Sequence, residues 1–209
     1  MAKKTFKKTK KISYEEKILR VVLLSALIIL ILVFVIAYII NLPRSFEYRG
    51  VKFKVVNFCD QGPCLKTYNT QLPVTYRENG QLKKANYNFY LRNDPRTLEK
   101  KVVFEGNLSL KKNLFMDITF DKSCKGYESV AVANFATLYR IMDVNINATS
   151  DFGCDLLGNS MYISLQESNS TNIKQIGPAC YEINIKDCEI LEGMERFMVE
   201  TFVKLNEKS

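Results

Sequence analysis

The sequence predicts an α+β domain hung from one N-terminal transmembrane helix. Three observations carry that reading: a long charge-free apolar run near the N-terminus, strand patterns that give way to helical ones along the remainder, and six cysteines confined to that remainder.

Residues 21–40 read VVLLSALIILILVFVIAYII, without a charge, a proline or a glycine. At about 1.5 Å per residue, such a helix is roughly 30 Å long, the thickness of a bilayer's hydrocarbon core. A buried helix of a soluble domain is seldom apolar on every face for so long. The run exceeds the ~7–15 residues usual for a cleaved signal, and no small-x-small site follows it, so the helix is expected to stay as an anchor in the lipid bilayer. Residues 1–20 hold eight of the 30 Lys and Arg and two of the 22 Asp and Glu. This basic tail places the N-terminus in the cytoplasm and the rest of the chain outside the membrane. With the tail set aside, the balance is nearly neutral, and no electrostatic footprint for nucleic acid remains.

The domain plan is therefore a basic tail (1–20), a transmembrane helix (21–40), a tether (41–50) ending the helix at Pro43, and an extracytoplasmic domain (51–209). In that domain Val51, Phe53 and Val55 alternate with Lys52 and Lys54, the pattern of a half-buried strand. Residues 72–77 and 84–92 flank Glu78-Asn79-Gly80-Gln81, whose Asn-Gly step suits a tight hairpin turn; Tyr87, Phe89 and Leu91 would share a face. Asn93-Asp94-Pro95-Arg96 punctuates the chain before strands near 102–105 and 114–120. Ala131, Phe135, Leu138 and Met142 fall at helical spacing over 127–142. Strands are expected at 143–148, 161–166 and 181–185, and a final helix over 189–205 with Leu191, Met194, Met198 and Leu205 inward. The sum is a mainly antiparallel sheet with two principal helices.

Cys59, Cys64, Cys124, Cys154, Cys180 and Cys188 are even in number and all lie beyond the membrane run, so three disulfides are expected. An extended segment between Cys180 and Cys188 would hold them farther apart than the roughly 7 Å a bridge allows. The Gly62-Pro63 step can close a local Cys59–Cys64 loop, which leaves Cys154 with Cys180 and Cys124 with Cys188 as one arrangement of the other four. Zinc sites favour short Cys-x2-4-Cys knuckles in pairs, but Cys59–Cys64 has no second knuckle to join it and the chain has no histidine; redox sites favour Cys-x-x-Cys, and Cys59 and Cys64 have four residues between them.

The chain has no histidine, which removes Ser-His-Asp and Cys-His catalysis within it. Asp117 with Asp121, or Asp143 with Asp151 and Asp155, are the carboxylates available to meet in a cleft, although such residues at strand ends and turns are usually just solvated. No phosphate-binding or nucleophile motif is present, and no cofactor or metal is expected. Asn107, Asn147 and Asn169 begin Asn-x-Ser/Thr sequons, and Asn169 sits in the most polar stretch.

The stretches FYLRNDPRTLEKK (89–101) and CYEINIKDCEILEGMERFMVE (180–200), behind an N-terminal anchor, resemble a group of uncharacterised single-pass membrane proteins of small-genome archaea. The resemblance implies an envelope-facing domain and brings no activity or site residue with it. The function expected is an anchored binding or interaction protein with a surface protein as partner, its oligomeric state left open. The alternatives are a pilin-like structural subunit and an Asp- or Cys-dependent enzyme. Against the pilin, Lys11-Ile12-Ser13-Tyr14 lacks the small residue expected before a pilin cleavage, and Lys17 and Arg20 interrupt the apolar face.

Overall fold

A computed structural model describes residues 14–41, 45–59, 62–78, 80–119, 124–149 and 152–207; the expected basic tail lies largely outside them. The chain divides into two units, Met1–Pro43 and Arg44–Ser209. The described part of the first is the helix α1 (Tyr14–Asn41), whose segment Lys17–Ala37 is exposed throughout and long and apolar enough to cross a membrane. It begins a turn or more before the expected span, because Glu15, Glu16 and Lys17 are good helix formers. Inside it the Ser25 hydroxyl donates to the Val22 carbonyl at 2.8 Å and needs no partner from outside the helix.

The second unit contains two sheets. β1 (Ser45–Tyr48), β2 (Val51–Phe58), β3 (Leu65–Glu78) and β4 (Gln81–Leu91) form an antiparallel meander in that order. β1 corrects the expected tether. Residues 45–48 pair with β2 through a two-residue turn in which Arg49 and Gly50 both have positive φ, at 49° and 83°. That is the geometry hairpins prefer, reached here without the Asn-Gly or Asp-Gly signal that usually announces it. A side chain at Gly50 would also run into the Asn206 amide, whose Nδ2 stands where its Cβ would need room.

The other sheet runs β5-β9-β10-β8-β6-β7, built from β5 (Val103–Glu105), β6 (Asn113–Ile118), β7 (Asn145–Ala148), β8 (Met161–Glu167), β9 (Asn172–Gly177) and β10 (Cys180–Ile185). It is mixed rather than mainly antiparallel. Only β9 and β10 pair antiparallel; the other four neighbouring pairs are parallel. The cause is topological. α3 (Tyr127–Ile141) carries the chain from β6 to its neighbour β7, and a helical crossover returns a strand in the same direction. β9 falls in a stretch where no strand was expected.

A fourth helix, α2 (Pro95–Lys101), occupies what reads in sequence as turn punctuation. Asp94 caps it by accepting from the Arg96 N–H at 3.0 Å, and Pro95 stands at the first position, where its missing N–H does no harm. In α3, Ala131, Phe135 and Leu138 are buried as expected, but Met142 is the half-exposed C-cap residue. Tyr139 is buried instead, its hydroxyl 2.9 Å from that of Thr201. Burial pushes its phenol well above the usual range.

The last helix, α4 (Ile190–Asn206), is the centre of the core: twelve of its seventeen residues are buried. Phe197 packs on Tyr181, Phe104 and Phe135, from the six-stranded sheet and α3, while Phe202 packs on Phe89 of the four-stranded sheet. Five residues advance a helix by about 140° beyond a full turn, so the two rings point toward different sheets. Gly193 lets α4 approach β10: a Cβ there would stand 2.5 Å from Ile185 Cδ1. Leu205, expected inward, is only partly covered.

Glu195 fastens α4 to the end of β4. Its carboxylate accepts from the backbone N–H of Arg92 at 2.6 Å, that of Asn93 at 2.9 Å, and Asn93 Nδ2 at 2.8 Å. Disulfides join Cys59–Cys64, Cys124–Cys188 and Cys154–Cys180, with Cα separations of 4.3, 5.4 and 5.6 Å; the first closes a local loop and the others clamp the segments before α3 and β8 to the β10–α4 region.

Two measurements test this framework. Loop-closure entropy ranks the bridges, so serine pairs replacing Cys124–Cys188, Cys154–Cys180 and Cys59–Cys64 should lower unfolding free energy by about 4, 3.5 and 2 kcal/mol respectively in denaturant titrations. Burial pushes the Glu195 carboxyl up to about 7 against the pull of its three donors. A raised folded value favours the protonated form, so this group's contribution is full below its ordinary 4.5 and is lost as pH climbs to about 7. The loss amounts to roughly 3 kcal/mol, and Glu195→Gln should flatten that part of the stability–pH curve.

Candidate functional site

The four-stranded sheet contains a fork. β2 and β3 pair from Phe58↔Leu65 as far as Lys54↔Asn69 and then part. Beyond that point residues 51–53 of β2 pair only with β1, and residues 70–78 of β3 pair only with β4. The two strand edges that face each other across the gap have no strand between them among the described residues. Pro73 is compatible with such an open side, because a proline is tolerated in a strand only where no neighbour needs its N–H.

The gap is a cleft of about 710 Å³. Val51, Phe53, Thr70 and Leu72 point down from the strands, and Phe202 and Leu205 of α4 lie below, so its floor is mainly apolar. Strand alternation turns Lys52, Lys54, Asn69, Gln71, Pro73 and Asn86 to the opposite, open face. There the amides brace one another: Asn69 Nδ2 donates to the Phe89 carbonyl at 3.2 Å, and Gln71 Nε2 to Asn88 Oδ1 at 3.0 Å. Past the cleft, β3 and β4 continue as a two-stranded arm with no buried residue from Gln71 to Asn88 among those described. Its Leu72, Val74, Ala85 and Tyr87 extend the apolar face of the buried Tyr68, Phe89 and Leu91 toward the turn.

Two other features bear comparison. A smaller cleft of about 290 Å³ holds Arg49, Glu99, Arg196 and Glu200, but Glu200 accepts from both Arg49 and Arg196, and Lys204 pairs with Glu207 at 2.9 Å. Its charges are largely engaged with each other. The loop before β8 presents Leu156 and Leu157, 79% and 84% exposed, on a turn held by Asp155. That carboxylate accepts from the N–H groups of Leu157, Asn159 and Ser160, which hold it below the usual range.

The carboxylates singled out in the sequence do not converge. Asp117 accepts weakly from the Tyr162 hydroxyl at 3.4 Å, Asp143 meets Lys112 at 3.0 Å in the turn after α3, and Asp155 holds its own loop. Asp121 and Asp151 lie outside the described residues. Among the described residues no group of His, Cys, Asp and Glu is arranged to hold a metal. All six cysteines are in bridges. The three sequon asparagines are exposed: Asn169 on the β8–β9 loop, Asn147 within β7, and Asn107 in the β5–β6 connection, where its carbonyl accepts from the Tyr181 hydroxyl at 2.9 Å. The cleft is the feature sequence reasoning missed. Its signal was the unequal length of β2 and β3, visible only once their register is known.

Comparison with protein-family models, curated proteins and solved structures yields no match. What the chain itself supports is a membrane-anchored protein with a disulfide-stabilised extracytoplasmic domain and, among the described residues, no obvious catalytic site. The floor of the cleft should also be part of the core. Phe202→Ala is expected to lower unfolding free energy by roughly 3–5 kcal/mol in urea titrations, with the loss of its packing on Phe89.

Proposed function

We propose that this protein is an interaction module of the cell envelope, anchored by α1 with its N-terminus in the cytoplasm, which takes an extended segment of another surface protein into the gap between β2 and β3. The fork carries this reading: two open strand edges over an apolar floor are what strand addition needs, with backbone hydrogen bonds supplying affinity and the floor reading alternate side chains. The excess of basic residues before the membrane run supports the orientation, and six bridged cysteines suit an oxidising compartment. The resemblance to single-pass membrane proteins of small-genome archaea implies an envelope-facing domain and brings no role with it. Catalysis finds less support, since the chain has no histidine and its described candidate carboxylates face different partners.

A benzophenone attached at Gln71→Cys and activated on intact cells is expected to crosslink a distinct surface protein within one extended segment. A synthetic peptide of that segment should block the capture. Leu72→Asp sets a charge against the apolar floor at a half-buried position and should reduce capture about tenfold or more. Capture that is indifferent to Leu72→Asp would sink the proposal, and a ladder of self-crosslinks would favour a structural polymer instead.

A further inference from the structure

We infer that the segment received by this cleft alternates apolar and acidic side chains, apolar toward α4 and acidic toward the open face. The inference rests on the strand-addition reading and adds the chemistry of the partner. A strand laid between β2 and β3 shares their alternation, so successive side chains point to the floor and to the open face. The floor is Val51, Phe53, Leu72, Phe202 and Leu205, which select apolar residues at every second position. On the open face of the same sheet stand Lys52, Lys54, Arg77 and Lys84, all exposed, with Glu47 the opposing charge. Register sharpens the imbalance. Glu47 lies directly across from Lys52, whereas Lys54, at the apex of the fork, has Ser45 and Asn69 as its cross-strand neighbours. Carboxylates on the outward positions of an added strand would therefore meet Lys54 first and the basic residues of the arm beyond it. Lysines in those positions would face like charge directly across the strand, which disfavours pairing.

The test uses the full-length chain in nanodiscs of uncharged lipid and two labelled peptides of roughly six residues, the length of an ordinary strand. One alternates valine with glutamate and the other valine with lysine. Fluorescence anisotropy should show the glutamate peptide binding about tenfold tighter or more, and raising salt from about 0.05 to 0.5 M should remove most of that preference. Lys54→Glu, an exposed change outside the core with Ser45 and Asn69 as its cross-strand neighbours, should remove or invert it without changing the melting temperature. Equal affinities, a lysine preference, or a preference unmoved by the charge reversal would overturn the inference. So would the absence of binding by either peptide while capture on cells stays sensitive to Leu72→Asp, an outcome that leaves the strand-addition reading standing. If neither peptide binds and capture is also insensitive to Leu72→Asp, both fall.

Discussion

The domain depends on α4 being buried between two sheets. A helix on the surface of a domain has one apolar stripe and one wet face, but α4 is covered on most of its circumference: Phe197 serves the six-stranded sheet and α3, Phe202 serves the four-stranded sheet, and Met194, Met198 and Val199 fill the space between. Without it the four-stranded sheet would lose the helix that covers its apolar face and the six-stranded sheet would keep only α3, since a sheet must bury its apolar face against something. The polar residues on α4 follow from this position. Glu195 and Arg196 are buried, so each has found fixed partners, Glu195 at Arg92 and Asn93 and Arg196 at the Val102 carbonyl and Glu200. They tie the strand-to-helix junctions around α2 to the central helix and give the two halves of the domain a common register.

The cleft arises from the same arrangement. α4 ends at Asn206, while β3 and β4 run on past it, so the apolar face of the four-stranded sheet outlasts the helix that covers its base. Short β1 and β2 leave the other side of the gap open. The opening is thus a mismatch in length among elements whose bases are firmly packed, which makes it preformed. Preorganisation lowers the ordering cost on the receiving side of any association.

Much of the fold was legible because it rests on local patterns. The membrane run, the 72–92 hairpin, the stripe Ala131-Phe135-Leu138 and the closing helix are all periodicities that a reader can count. The cysteine pairs could be narrowed because an extended strand between Cys180 and Cys188 excludes their union. Strand direction in the second sheet was not legible, because nothing in β6, β8 or β10 encodes which neighbour it will meet; the α3 crossover sets the direction of β7 beside β6, and the other pairings follow from the place each strand takes in the sheet. Asp94-Pro95 carries a short-range signal for a helix start rather than a stop, whereas the Arg49-Gly50 hairpin turn lacks the usual Asn-Gly or Asp-Gly signal because an arginine takes the left-handed conformation there. The candidate site was hidden for a third reason. Its apolar floor joins β2 and β3 to α4, which lies more than a hundred residues further along the chain, and its defining property is an edge that lacks a partner.

The position of Ser45 has a mechanical consequence. It is the first residue of β1, it lines the cleft, and only three residues of sequence separate it from the end of α1 at Asn41. Tension between the membrane and a segment held in the gap would pass through the β1–β2 hairpin and the adjoining edge of β3. The six-stranded sheet, α3 and the two long-range disulfides lie off that load path. The region that would feel a pull is small and hydrogen-bonded, and the bulk of the core would be shielded from it.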